Sequence, residues 1–502
     1  MAYLLCFRPN ASALPCFTPI RAVTTVACNI GGRLMETPVA RTNTPGMVPV
    51  PLGELLRIAG EYERAGRIED AQRLLDHILG AVPNQGDALH LAGIVAFRRG
   101  DPDKALALME GALRHGIDTP LYLRNICELY RVLGRLDEAL AAARRATALA
   151  PSDPLCLHNQ AIIHYHRLEL DATLACASQA LRIDPSLPGG HFVRAEALLL
   201  RGEWAEGWEE YEWRFRIGGA APLMPPTDKP QWDGTRFADR TLLLVADQGF
   251  GDAIQFSRYI PWARERCPDL AIGCSGEMIP LLRRIARGAR LFARWQDCPD
   301  YAAFCALSSL PRLAGTRVET IPAPIPYLHA DPARVAQWAA RLDGLVPRGL
   351  RRIGVIWAGR PTHNNDRNRT ALLADLAPIG YVPGIALLAL QKGPKTGQAG
   401  GWYGRAPLIN LGAEVQDYDD TMAILANIDL LVTVDTSVAH LAGAMGRPVW
   451  IMLPFAPDWR WLLGRPDTPW YPTVRLFRQS TVRRWDDLLQ AVATALGQEA
   501  GA

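Results

Sequence analysis

The sequence predicts an α-helical repeat superhelix followed by two doubly wound α/β lobes. Three observations carry that reading. Residues from Pro51 onward repeat themselves at a shift of 34, and a Gly/Pro/Ala stretch from Gly218 to Pro230 then ends the helical pattern. Beyond it, short apolar runs each lead into a glycine- or hydroxyl-bearing turn and a helix, the pattern of parallel strands with crossover helices. A chain of 502 residues leaves room for two to four domains, and 49% hydrophobic with 21% charged residues excludes wholesale disorder, collagen-like repetition and a disulfide-stapled miniprotein. The net charge is +3; only four of the 54 basic residues are Lys, so the excess of Arg reads as genome composition. With acidic residues interspersed almost one for one, no nucleic-acid stripe forms and no nucleic-acid partner is expected.

The first 48 residues lack the ordered charged, apolar and cleavage regions of a signal peptide. They are expected to be a disordered extension, with Met35 or Met47 as alternative starts to Met1. The repeats occupy 49–217. Ala71, Ala105 and Ala139 each close a Gly-x-x-x-x-Ala frame opened by Gly66, Gly100 and Gly134; Gly202 and Gly207 continue it, and Leu168 and Thr173 form the deviant copy. A second column of small residues runs Ala59, Gly93, Cys127, Ala161, Ala195, and a third runs Pro83, Ile117, Pro151, Pro185. Each unit therefore reads as a helix, a glycine turn, a second helix whose Ala permits close approach, and a proline stop. Period and columns together resemble the tetratricopeptide repeat, which implies a concave groove that holds a protein or peptide. The last copy is rich in rings: Trp204, Trp208, Tyr211, Trp213 and Phe215. Large rings at the end of an array are expected to dock it on the next domain rather than to serve as a sugar platform.

A linker is placed at 218–238, a first lobe at 239–345 and a second lobe at 346–502 with a terminal helix. In the first lobe, strand Thr241–Ala246 feeds the glycine loop Asp247-Gln248-Gly249-Phe250-Gly251-Asp252. In the second, strands are read at Arg352–Ile356, up to Leu390, at Asp429–Val434 and at Pro448–Leu453, with a helix at Asp419–Asn427. Asp435, Thr436, Ser437, Val438 and His440 stand at a strand end and helix start, where backbone donors and the dipole favour an anion. The loop Arg360–Arg369 adds cationic and amide side chains, and the default active site is the cleft between the lobes. None of the ten cysteines sits in a Cys-x-x-Cys pair, so zinc and thioredoxin chemistry are not expected. Cys267/Cys274 and Cys298/Cys305 read as small buried residues. No apolar run approaches the roughly 18 residues that span a bilayer, so a soluble, cytoplasmic protein without a membrane span is expected.

Gln248-Gly-Phe-Gly-Asp252, Asn365-Asp-Arg-Asn-Arg369, Gln391-Lys-Gly393, Val434-Asp-Thr-Ser-Val-Ala-His-Leu-Ala442 and Pro454–Trp461 resemble the bacterial tetratricopeptide-repeat glycosyltransferases. The catalytic half of that family is similar to the heptosyltransferases, of GT-B fold. Two departures stand out: Asp247 replaces a more usual Glu, and Thr370–Leu390 is short for a full crossover helix. The resemblance implies inverting, metal-independent transfer of a sugar from a nucleotide-diphosphate donor, bound by the second lobe, to an acceptor hydroxyl on the first-lobe side. No cofactor is expected beyond that sugar nucleotide. By the same resemblance Asp252 is the catalytic base, and Gln248, Gly249 and Gly251 shape its loop. Arg367, Arg369 and Lys392 would face the leaving diphosphate; Thr436, Ser437 and Val438 would hold phosphates, with Asp435 or His440 orienting ribose or loop.

Competing readings stand beside these. Asp252 can cap its own helix, Arg367 and Arg369 can be a solvated pair, His440 can be a structural histidine, and His363 is weaker still. Trp459, Arg460 and Trp461 can stack on a nucleobase or fill a lobe contact. The acceptor is expected to be a protein presented by the repeats. A cell-surface saccharide, or a repeat scaffold without activity, are the alternatives.

Overall fold

The small-residue columns of the sequence become the seams of helix pairs. The structure, a computed structural model, describes residues 25–28 and 48–500 except 117, 219–223, 226, 323–324 and 364. The chain divides between Leu187 and Pro188 into two compact units. The division leaves the last helix pair, assigned to 49–217 on sequence, in the second unit. Of the stretch expected to carry no structure, Thr25–Cys28 is a strand paired antiparallel with Val48–Pro51; the rest of 1–48 lies outside the described residues.

In the first unit four helix pairs follow in order: Leu52–Arg64 with Ile68–Ala81, Gly86–Arg98 with Pro102–His115, Pro120–Val132 with Leu136–Leu149, and Pro154–His166 with Leu170–Ile183. Ala59, Cys127 and Ala161 on the first helices, and Ala71, Ala105 and Ala139 on the second, are buried to within 1%. A larger side chain at any of them would push a pair apart. Gly93 shows the limit, since a Cβ there would lie 2.6 Å from the Met109 side chain. Thr173 fits the alanine column because its hydroxyl donates to the Glu169 carbonyl at 3.1 Å, so the buried oxygen is satisfied. Cys156 here and Cys267, Cys274 and Cys305 in the second unit are buried thiols outside any disulfide.

Between paired helices the backbone turns through the left-handed region. Gly66, Gly100 and Gly134 have φ of 77°, 85° and 79°, and the deviant copy puts Leu168 there at φ 60°. A Cβ in that region costs about 1–2 kcal/mol, partly offset by the smaller unfolded-state entropy of Leu. Leu168→Gly should therefore raise the stability of the first unit by up to about 1 kcal/mol, read as slower hydrogen exchange of the flanking helices. Faster exchange there would show that the Leu168 side chain contributes more packing than its backbone costs.

The second unit opens with helices Pro188–Arg201 and Trp204–Tyr211 and the 3-10 turn Glu212–Arg216. Their rings form the docking surface expected from sequence. Trp208 meets Trp459 edge-on at 5.1 Å, Trp204 stacks on Trp470 at 5.1 Å, and the Trp208 indole donates to the Thr316 carbonyl at 3.0 Å. Arg214, buried, donates to Ser308 and Ser309 at 2.6 and 2.7 Å. One helix pair is thus bonded to both α/β lobes. Trp213 is a different case: it stacks on His191 of its own pair at 3.7 Å.

The first lobe is a parallel four-stranded sheet in the order Arg290–Phe292, Leu270–Gly273, Leu242–Val245, Ala303–Ala306. The end of the linker joins it, since Trp232 N–H donates to the Phe304 carbonyl at 2.7 Å. The second lobe is a parallel six-stranded sheet in the order Val474–Arg478, Val449–Leu453, Leu430–Val434, Arg351–Ile356, Ile385–Ala389, Leu408–Asn410. Its four inner strands are buried throughout or nearly so, as a sheet covered on both faces requires. Where a full crossover helix was judged too long to fit after Thr370, the chain makes only the turn Leu373–Leu376 and the short helix Ala377–Gly380. Helix Pro332–Leu345, counted with the first lobe on sequence, packs on the second. Trp338 and Arg334 both donate to the Asp420 carboxylate, at 3.1 and 2.8 Å, so the chain has crossed over before Pro332. The terminal helix Asp486–Ala500 closes the same core through Leu488, Leu489, Val492 and Leu496. Among the described residues no helix is long and apolar enough to cross a membrane.

Candidate active site

At the carboxyl end of strand Leu242–Val245 the glycine loop is pinned from below. The Ser308 hydroxyl donates to Asp247 at 2.5 Å, and Arg214 lies 3.7 Å from the same carboxylate. Gln248 is held by Tyr211, its side-chain amide donating to the phenol oxygen at 3.0 Å. Gly249 caps helix Phe250–Phe256, and its N–H donates to Asp252 Oδ2 at 3.0 Å. The helix-capping reading of Asp252 is therefore present in the structure.

Gly251 has a role that a phosphate loop does not require. A Cβ there would lie 2.9 Å from His440 Cδ2 and 3.5 Å from Ser437 Cα. The loop of one lobe thus meets the start of helix Ser437–Ala444 of the other at a point where only a hydrogen fits. Beside this contact Tyr418 donates to the Ser437 hydroxyl at 3.0 Å, and its ring meets Phe250 edge-on at 5.8 Å. Thr436, Ser437 and Val438 are half-buried at the helix start, with the Thr433 and Thr436 hydroxyls 3.2 Å apart.

Across the cleft Arg460 carries the contact that sequence reasoning left open between nucleobase stacking and lobe packing. Its Nη2 ion-pairs with Asp252, its Nε donates to Gln255 at 2.5 Å, and its Nη1 donates to both oxygens of Asp458 at 2.8 and 3.0 Å. The guanidinium stacks on the Trp459 ring, 4.2 Å from its centroid, and is 6% exposed. Burial raises the Asp252 carboxyl above the ordinary range, with Asp458 and Asp247 adding to it against the opposing charge of Arg460. Burial also opposes the charge of Asp458, yet Arg460 and its hydrogen bonds leave that carboxyl below the usual range. Arg460 was legible as a candidate lobe contact; its partner, more than two hundred residues away, was not.

Arg369 donates to the Asp435 carbonyl at 3.0 Å from the short helix Asp366–Arg369, which brings the Arg loop to the end of strand Leu430–Val434. Burial and the neighbouring Asp458 raise the Asp435 carboxyl, with Arg369 acting against them. Two of the three candidate cations are placed differently. Arg367 is exposed, and Lys392 donates to the Val415 carbonyl at 2.5 Å, tying the loop after its strand. Gln391 beside it accepts from the Ala358 N–H at 2.9 Å and so joins the ends of two strands. His440 is buried, bonded to the Tyr471 hydroxyl at 3.0 Å and stacked on Trp461 at 5.3 Å. Burial pushes its imidazole down to about 3, so the ring is neutral at physiological pH and brings no cation to a phosphate; its place is in the lobe contact.

The family model of the tetratricopeptide repeat matches residues 56–120 and 90–154, so the first unit is a tetratricopeptide-repeat array. The chain is 29% identical over 337 residues to FlbA of Caulobacter vibrioides, a match covering 61% of this chain and 54% of that protein. The chain therefore spans about half the length of that curated relative. Among solved structures it is similar to YrrB, a repeat protein with an unusual peptide-binding site, at 18% identity over 33% of this chain and 84% of that one, TM-score 0.28. PilF of Pseudomonas aeruginosa is similar at 19% identity over 33% of this chain and 76% of that one, TM-score 0.31.

Proposed function

We propose that the chain is an inverting, metal-independent glycosyltransferase of GT-B type. It would move a sugar from a nucleotide diphosphate to a hydroxyl of a protein or peptide presented by the repeats. The observation that carries the reading is the placement of Asp252 at the interlobe contact, on a glycine loop that abuts the start of helix Ser437–Ala444. In the reaction Asp252 takes the proton of the acceptor hydroxyl, whose oxygen attacks the anomeric carbon as the bond to the diphosphate breaks. The charge gained by the leaving diphosphate falls to Arg369 and to the backbone donors at Thr436, Ser437 and Val438. A raised carboxyl pKa suits this role, because a base held far below the working pH accepts protons poorly. Repeats in the same chain as such a site would supply remote binding energy that positions an otherwise generic hydroxyl. The free cysteines suit a reducing compartment, and we place the chain in the cytoplasm.

A thermal-shift screen of the full chain with ADP, UDP and their sugar conjugates tests the donor site. A ligand at about 100 times its Kd stabilises the folded state by about 2.7 kcal/mol, so at least one nucleotide should raise Tm by several degrees. No shift with any of them at millimolar concentration would favour a non-catalytic repeat scaffold.

A further inference from the structure

We propose that Arg460 is a positioning residue for Asp252: reaching from the second lobe, its guanidinium fixes the orientation and the charge of the carboxylate on the first lobe's glycine-loop helix. The inference rests on the transferase reading only for its consequence in catalysis; the geometry stands without it. Two of the guanidinium's three nitrogens and one face are committed: Nη1 to both oxygens of Asp458, Nε to Gln255 Oε1, and the face to the Trp459 ring. A planar fork held in this way has no rotational freedom left, and what remains, Nη2, lies on Asp252 Oδ1. Oδ2 is taken by the Gly249 N–H at 3.0 Å. Each carboxylate oxygen has two acceptor sites, so one on each remains open for a hydroxyl proton while the plane of the group is fixed.

The charge arrangement has a second consequence. One guanidinium serves two carboxylates, so Arg460 opposes without cancelling the rise that burial and the neighbouring Asp458 and Asp247 impose on the Asp252 carboxyl. The groups that face Asp252 are Arg460 and Asp458 from the second lobe, Asp247 from the end of the preceding strand and the Gly249 N–H. Tyr211 reaches the same loop from helix Trp204–Tyr211, and neutral His440 lies against Gly251.

Carboxyl titration by NMR tests this without any substrate. Full-length protein carries 13C-labelled aspartate, and the Asp252 signal is assigned by its loss in Asp252→Asn. In Arg460→Met, which keeps length and removes charge, the Asp252 midpoint should rise by about 1–3 pH units, and Arg460→Lys should recover much of the difference. Asp458→Asn removes a neighbouring negative charge while leaving Arg460 in place, so it should move the midpoint down; it decides the matter should Arg460→Met fail to fold. A midpoint unchanged in the folded variants would overturn the proposal and leave Arg460 as lobe packing alone. Once a donor is identified, the acid limb of the rate profile should move with the midpoint, because the base must be ionised to act. Undiminished turnover in Asp252→Asn would instead remove Asp252 as the base and leave the titration result intact.

Discussion

Asp252→Asn should lower sugar transfer by about 10²–10⁴-fold, the usual contribution of a positioned general base, while nucleotide binding is kept. The amide keeps an oxygen for the Gly249 N–H, so the helix cap survives. It loses the charge that pairs with Arg460 and the capacity to take a proton. Comparing turnover with nucleotide affinity separates the two readings of this residue. A carboxylate that only caps its helix would leave turnover near the wild-type value in the folded protein, and that outcome would sink the assignment of the base.

Trp208→Ala should destabilise the second unit by about 3–5 kcal/mol, the range for deleting a buried aromatic ring. Trp208 is 2% exposed and packs on Trp204, Tyr211 and Trp459, while its indole N–H satisfies the Thr316 carbonyl. Its loss opens a cavity and leaves a buried acceptor without its donor. All fourteen tryptophans lie beyond Pro188, so the fluorescence transition in denaturant reports the second unit alone. The transition should move to lower denaturant, and Trp208→Phe should recover most of the packing but not the hydrogen bond. A midpoint unchanged in Trp208→Ala would mean that the last helix pair does not brace the lobes.

The repeat array was legible because its signal is periodic. A residue that must be small recurs every 34 positions, and the same steric demand acts in each copy. The strands flanking the glycine loop and the Asp435–His440 turn were legible for a similar reason, since buried parallel strands are short, wholly apolar and ended by turn residues. Strands Leu270–Gly273, Ala303–Ala306 and Val474–Arg478 escaped, being four or five residues long with no motif at their ends. The fate of helix Pro332–Leu345 was also hidden, because an amphipathic helix announces that it packs but not against which lobe.

In the candidate site, sequence supplied the loop residues and missed what holds them. Arg460 and Tyr211 act on Asp252 and Gln248 across long sequence separations, and no local pattern encodes such a pairing. For His440 the sequence left two readings open, ligand contact and a structural histidine. Its position near a helix start suggested ligand contact, whereas burial between Tyr471, Trp461 and Gly251 makes it a neutral packing group. Lys392 is similar, its charge directed to the Val415 carbonyl.

The central claim is that the interlobe cleft holds a nucleotide diphosphate through the second lobe. Calorimetric titration of the full chain with the diphosphate selected by thermal shift, on wild type and Arg369→Ala, tests it most directly. A hydrogen bond to a charged group is worth about 1.5–3 kcal/mol, so Kd should rise by about one to two orders of magnitude in the variant. Equal affinity in the two proteins would contradict the placement of the phosphates beside Arg369.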